Sequence, residues 1–139
     1  MDHSARKYYL FLSSQDSELY YPENTSTDFT VELTETLYLP GEWECSLLEI
    51  FFTKRITEDI VVYCNICTES AINDSKLPVL RYLQNGTYRN NNSFLHPISV
   101  PINQTHIQRM RVYIRTVSGK MPSFIDDPVR CTVVLKRIL

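Results

Sequence analysis

The sequence predicts an all-β domain of two packed antiparallel sheets, on three observations. Short β-branched and aromatic runs recur along the chain, each followed by a polar cluster. Several of these runs alternate apolar and polar residues, the pattern of a strand with one buried and one wet face. No stretch carries the apolar periodicity of a helix, so nothing is available to cover a parallel sheet.

The first strand is read over Lys7 to Ser13, and a polar stretch with Pro22 follows it from Ser14 to Ser26. The second covers Thr27 to Leu33, where Phe29, Val31 and Leu33 alternate with Asp28, Thr30 and Glu32. The third runs from Glu42 to Phe52 after the Pro40-Gly41 turn. Its apolar face is Trp43, Cys45 and Leu47, then slips at Leu47-Leu48 to Leu48, Ile50 and Phe52. Such a slip predicts a β-bulge or a change of neighbours.

The fourth strand is Ile60 to Ile66 and the fifth Leu77 to Leu83. Gly86 and Asn90 to Asn92 predict an exposed loop. The sixth holds Ile98, Val100 and Ile102, and Pro97 and Pro101 confine it to a sheet margin. The seventh, Ile107 to Val117, puts Met110, Val112 and Ile114 inward and Arg109, Arg111, Tyr113 and Arg115 outward. The eighth follows Pro128, with Val129, Cys131, Val133 and Leu135 inward.

Long connections after the first, fourth and seventh strands suit Greek-key crossovers better than a meander. The expected fold is therefore an eight-stranded antiparallel single jelly-roll sandwich. Strands one, eight, three and six should face strands two, seven, four and five. An immunoglobulin-like sandwich is the alternative, but no Cys-Trp-Cys spacing supports it. The 139 residues suit one domain, read as residues 1–139 with a flexible segment at residues 1–6.

Hydrophobic residues at 43% and charged residues at 22% fit a packed globular core. A formal net charge of −2 gives no general case for nucleic-acid or acidic-lipid binding. The polar N-terminus lacks the pattern of a signal peptide, and no run is long and apolar enough to span a membrane. The expected setting is a reducing compartment with free thiols, and secretion is not expected. Asn-x-Ser/Thr triplets at Asn24, Asn73, Asn85, Asn91 and Asn103 are then read as ordinary loop residues.

Cys64-Asn-Ile-Cys67 is a lone C-x-x-C pair without the second pair that a structural zinc site needs. On a continuous strand, three steps would put the two thiols on opposite faces and ~10 Å apart, beyond disulfide reach. Cys45 and Cys131 fall on inward positions and read as small core residues. His3, His96 and His106 share no spacing with carboxylates, and the chain has only three glycines for a phosphate cradle. Asp126-Asp127 and the group Asp16, Glu18 and Glu23 lack the spacing of a calcium loop. No catalytic residue, cofactor or metal is expected, and the chain is not read as an enzyme.

Arg109, Arg111 and Arg115 form a basic ladder interrupted by Tyr113. Either it contacts an acidic partner or nucleic acid, with Tyr113 as a stacking platform, or Asp28 and Glu32 neutralise it from the neighbouring strand. The second reading is preferred. Nine tyrosines, with one ring of each pair Tyr8-Tyr9 and Tyr20-Tyr21 directed away from the core, point toward protein assembly. Tyr20, Tyr21 and Pro22, in an arm with little around it to bury them, are the candidate subunit-interface residues.

Several stretches resemble one family of proteins. They are Tyr-Leu-Phe-Leu-Ser-Ser-Gln-Asp-Ser (Tyr9 to Ser17), Asp-Phe-Thr-Val-Glu-Leu (Asp28 to Leu33) and Gly-Glu-Trp-Glu-Cys-Ser-Leu-Leu-Glu-Ile (Gly41 to Ile50). Lys-Leu-Pro-Val-Leu-Arg (Lys76 to Arg81) and Arg-Val-Tyr-Ile-Arg (Arg111 to Arg115) extend the likeness. The family is the penton, or minor capsid, proteins of Polinton (Maverick) elements and related adintoviruses and adomaviruses. The resemblance spans about Tyr9 to Leu135.

It implies a structural virion protein, a single jelly roll forming homopentamers at the fivefold vertices of an icosahedral capsid. Its partner in the shell would be a double jelly-roll major capsid protein, with assembly in the host nucleus or cytoplasm and without specific nucleic-acid or membrane binding. The chain has no evident insertion for receptor binding. The competing expectation is a cytosolic carbohydrate- or peptide-binding β-sandwich, for which Tyr88 near Asn90, Asn91 and Asn92 is the sugar-site candidate.

Overall fold

The computed structural model describes residues 7–52, 58–72, 74–84, 91–122 and 128–138. The flexible segment expected at residues 1–6 lies outside them. Among the described residues eleven strands form in place of the eight expected: β1 (Lys7–Ser13), β2 (Asp28–Tyr38), β3 (Trp43–Phe51), β4 (Ile60–Cys64), β5 (Ser70–Ile72), β6 (Ser75–Leu77), β7 (Val79–Leu83), β8 (Asn91–Ser93), β9 (Ser99–Pro101), β10 (His106–Thr116) and β11 (Arg130–Arg137).

All pairings between strands are antiparallel. The first sheet runs β1-β11-β3, with β8 and β9 both on the far side of β3, and the second runs β2-β10-β4-β7. The strands β5 and β6 pair only with each other, as a separate hairpin. Alternation decides which side chains go in. Phe29 and Val31 from β2 and Met110, Val112 and Ile114 from β10 meet Cys45, Leu47, Ile50, Val133 and Leu135 from the first sheet in one buried cluster.

The expected slip in β3 is a bulge. Thr132 pairs with Glu49 and Val133 with Leu47, so Leu48 is the extra residue. Its carbonyl accepts the Phe94 N–H at 2.9 Å, between β8 on Phe51 to Glu49 and β9 on Ser46 to Glu44. One strand position on β3 is thus filled by two short pieces that meet at the bulge.

The expected exposed loop at Asn90 to Asn92 is therefore corrected in part: Asn91–Ser93 is β8, and Asn92 is buried. Asparagine disfavours strands, but this three-residue edge piece is paired through its backbone to β3. The expected fifth strand is split at Pro78, which has no N–H for a ladder. The Pro78 carbonyl instead accepts the Cys64 N–H at 3.0 Å. The second strand reaches Tyr38, well past Leu33, because its register against β10 shifts and the residues from Leu33 to Thr36 face only Gln108. Gly41 turns the chain from β2 into β3 at φ 86°, a conformation that side-chain-bearing residues rarely adopt.

One flank can be traced from a single contact. The Arg81 guanidinium of β7 lies 3.8 Å from the centre of the Phe94 ring, just after β8. The β7 edge and the β8–β9 edge therefore share a flank, and the two sheet orders put β1 and β2 on the opposite one.

Candidate functional site

The segment between β1 and β2 is folded onto the molecule. Asp16 closes the end of β1: its carboxylate accepts the Ser13 N–H at 3.0 Å, and its own N–H reaches the Ser13 carbonyl at 3.0 Å. Ser17 sits in the left-handed region at φ 59°, and its carbonyl accepts the N–H groups of Tyr20 at 3.0 Å and Tyr21 at 2.9 Å.

Three contacts then run along the outer edge of β2. The Thr25 N–H donates to the Asp28 carbonyl at 2.9 Å. The Asn24 amide takes both backbone groups of Thr30, accepting its N–H and donating to its carbonyl, each at 2.9 Å. The Ser17 hydroxyl oxygen accepts the Glu32 N–H at 2.9 Å. From Asp28 to Glu32 every second residue of the edge is satisfied, as a neighbouring strand would do it. The arm is an edge cover.

The three candidate interface residues separate on this scaffold. The Tyr21 hydroxyl donates to the Glu32 carboxylate, which raises the tyrosine's pKa, so this ring is held against its own chain. Tyr20 is 72% exposed, and Pro22 is exposed beside it. The sequence reading passed over Leu19, which is 98% exposed. Its signal was an aliphatic residue inside an otherwise polar loop. Between the arm and the second sheet lies a groove of 520 Å³ lined in part by Tyr20, Asn24, Asp28, Arg111 and Met121.

The basic ladder meets the acidic residues of β2 as expected. Arg111 donates to both Asp28 carboxylate oxygens, at 2.9 and 2.7 Å, and Arg115 lies 3.5 Å from the same group. Arg109 lies 3.8 Å from Glu32. Tyr113 stacks on Tyr63 with ring centres 4.7 Å apart, beneath the Arg111 guanidinium at 4.5 Å.

The Arg111 hydrogen bonds hold the Asp28 carboxyl below its ordinary 3.8, against the opposing effect of burial. Because the folded value is the lower one, this stabilisation is present at neutral pH. It is lost as pH falls below 3.8 and through the depressed value. Solvent-screened pairs contribute ~0.2–1 kcal/mol each. Replacing Arg109, Arg111 and Arg115 together with Gln is expected to leave the fold intact and lower stability at pH 7 by about 1–2 kcal/mol, read by urea denaturation. A loss of measurable DNA affinity in that variant would reinstate the nucleic-acid reading.

The cysteines require a correction. Cys64 ends β4, and the Cys67 N–H turns back to its carbonyl at 3.0 Å, so the pair spans a turn and not three steps of a strand. Asn65 supports that turn: its side-chain oxygen accepts the Arg111 N–H at 2.8 Å. The premise of opposite faces and wide separation therefore fails. The Cys67 thiol lies beside those of Cys45 and Cys64, and all four thiols are free and buried. The Cys45 contact and burial push the Cys67 thiol up. The Cys67 contact and burial do the same to Cys64. Among the described residues, no group of three or more His, Cys, Asp and Glu is placed to hold a metal ion.

His96 and His106 are exposed. His106 packs on Tyr38 with ring centres 4.9 Å apart and exchanges a hydrogen bond with the Thr105 hydroxyl at 3.1 Å. His3, Tyr88, Asn90 and Asp126-Asp127 lie outside the described residues. No described helix is long and apolar enough to cross a membrane. No family model matches the chain, and no curated protein matches it.

Proposed function

We propose that this chain is a single jelly-roll capsid subunit of the penton type, which assembles as a ring of five at fivefold vertices beside a double jelly-roll major capsid protein. Its role is assembly and not catalysis. The strand orders support the jelly roll: β1, β11, β3 and β9 match strands one, eight, three and six of the expected sheet, with β8 added beside β3. The strands β2, β10, β4 and β7 match the other four. On this reading β5 and β6 are a hairpin inserted in the connection between β4 and β7. The number five and the vertex come from the resemblance.

The observation that carries the ring is the distribution of exposed apolar side chains. Leu19 at 98% and Tyr20 at 72% project from the flank of β1 and β2, while Leu95 at 91% and Ile98 at 53% project from the flank of β7 to β9. Large apolar groups on two opposite flanks suit a head-to-tail contact, and such contacts close into rings.

Light scattering on the purified protein should give five times the 16.3 kDa chain mass. Replacing Leu19 and Tyr20 with Asp should leave a folded species of lower mass. A monomer at high concentration across wide ranges of salt and pH would reject the proposal. Rings of three or six would keep assembly and reject the vertex.

A further inference from the structure

We propose that β1 is a self-complementary docking edge through which two copies of this chain pair about a two-fold axis. The proposal does not rest on the ring of five, which draws on the arm and on Leu95 and Ile98.

The described sheet edges differ in how they are protected. The β2 edge is covered from Asp28 to Glu32 by Ser17, Asn24 and Thr25. The strands β8 and β9 have three residues each, and Pro97 and Pro101 interrupt that margin. The strand β7 has five residues, carries Arg81 and breaks register opposite Tyr63. The strand β1 has seven residues, no proline and an unbroken register with β11. An edge of that kind is a template for another strand.

Backbone direction shows which groups are on offer. The Ser14 N–H donates toward β11, to the Val129 carbonyl at 2.9 Å, whereas the Ser13 N–H turns the other way, to Asp16. By strand alternation Tyr9 and Phe11 share the direction of Ser13, so their N–H and C=O groups face away from β11. Both side chains lie on the outer face of the sheet, Tyr9 at 52% and Phe11 at 74% exposed. The Asp16 turn takes both backbone groups of Ser13, so the edge left open among the described residues ends at Phe11.

A second β1 fits this edge in antiparallel register about Leu10. Tyr9 then faces Phe11 of the other copy, and Phe11 faces its Tyr9. These are outward-directed, hydrogen-bonded pairs that also place two aromatic cross-strand pairs on one face. Leu10, half-buried at the margin, meets its own counterpart. Lys7 falls opposite Ser13, so no like charges oppose each other. The occupant is a second copy because, about Leu10, the edge matches itself in hydrogen-bonding parity, pairs its own outward aromatics and sets its one charge, Lys7, opposite Ser13.

Sedimentation equilibrium on the full chain should show even-numbered association that weakens at least tenfold in Tyr9→Lys with Phe11→Lys, with the circular dichroism spectrum unchanged. The register has its own readout. Across a non-hydrogen-bonded pair the Leu10 Cα atoms come ~4.5 Å apart, within disulfide range. Leu10→Cys should therefore give an oxidised dimer on a non-reducing gel, and this arm stays decisive if the lysine variant fails to fold. An absence of even-numbered species, persistence of dimers in the lysine variant, or no Leu10→Cys cross-link would each overturn the proposal. Fives without even-numbered species would reject the two-fold edge and leave the ring standing.

Discussion

Phe29→Ala is expected to lower the unfolding free energy by about 3–5 kcal/mol, the largest effect of any single change considered for this chain. Phe29 is fully buried, on a strand whose neighbouring inward residue is Val31. Its backbone pairs with Val112 of β10, itself fully buried. Truncation removes the transfer energy of the ring and leaves a cavity that two hydrogen-bonded sheets close only in part. Chemical denaturation read by tryptophan fluorescence suits the test, since Trp43 is the one tryptophan and is itself buried. A loss below 1 kcal/mol would show that the sheets collapse onto the void.

Asn24→Ala is expected to cost about 1–2 kcal/mol and to make the protein aggregate with rising concentration. The cost follows from Thr30, whose N–H and carbonyl both lose their partner in one substitution. Thr30 is half-buried, so water recovers part of the loss and keeps the figure at the low end. The aggregation follows from the edge: without the amide, the centre of the cover on β2 is gone, and an uncovered edge pairs with other chains. Denaturation midpoints and turbidity at several concentrations read the two effects separately. Asn24→Asp retains the acceptor for the Thr30 N–H but loses the donor, so it should fall between the two.

Much of this was legible in the residues. The alternation in β2 and β10 has one physical origin, strands buried on one face, and that pattern alone sets Arg109, Arg111 and Arg115 opposite Asp28 and Glu32. The Leu47-Leu48 slip was readable because a bulge moves the apolar face by one residue. Composition misled at Asn91–Ser93, where backbone pairing to β3 outweighs a side chain that disfavours strands. The C-x-x-C reading failed because a turn at Asn65-Ile66 carries no glycine or proline to announce it. The arm was legible as a polar segment with three candidate residues, but Tyr21 has a partner eleven positions away, in Glu32, that no local pattern specifies.

The pairing of β1 with β11 has a consequence for synthesis. Lys7 is matched to Lys136 and Ser13 to Arg130, so β1 waits through the synthesis of the other described strands for its partner β11. At about 5–20 residues per second the delay is on the order of ten seconds. Through that interval Tyr8 to Leu12 lack their only described strand neighbour, while β2, β3 and β4 emerge behind them. Contacts this distant along the chain slow folding, because the loop must close before the pair forms. The domain therefore completes its first sheet only once β11 has emerged, and any larger assembly that uses that sheet waits for it.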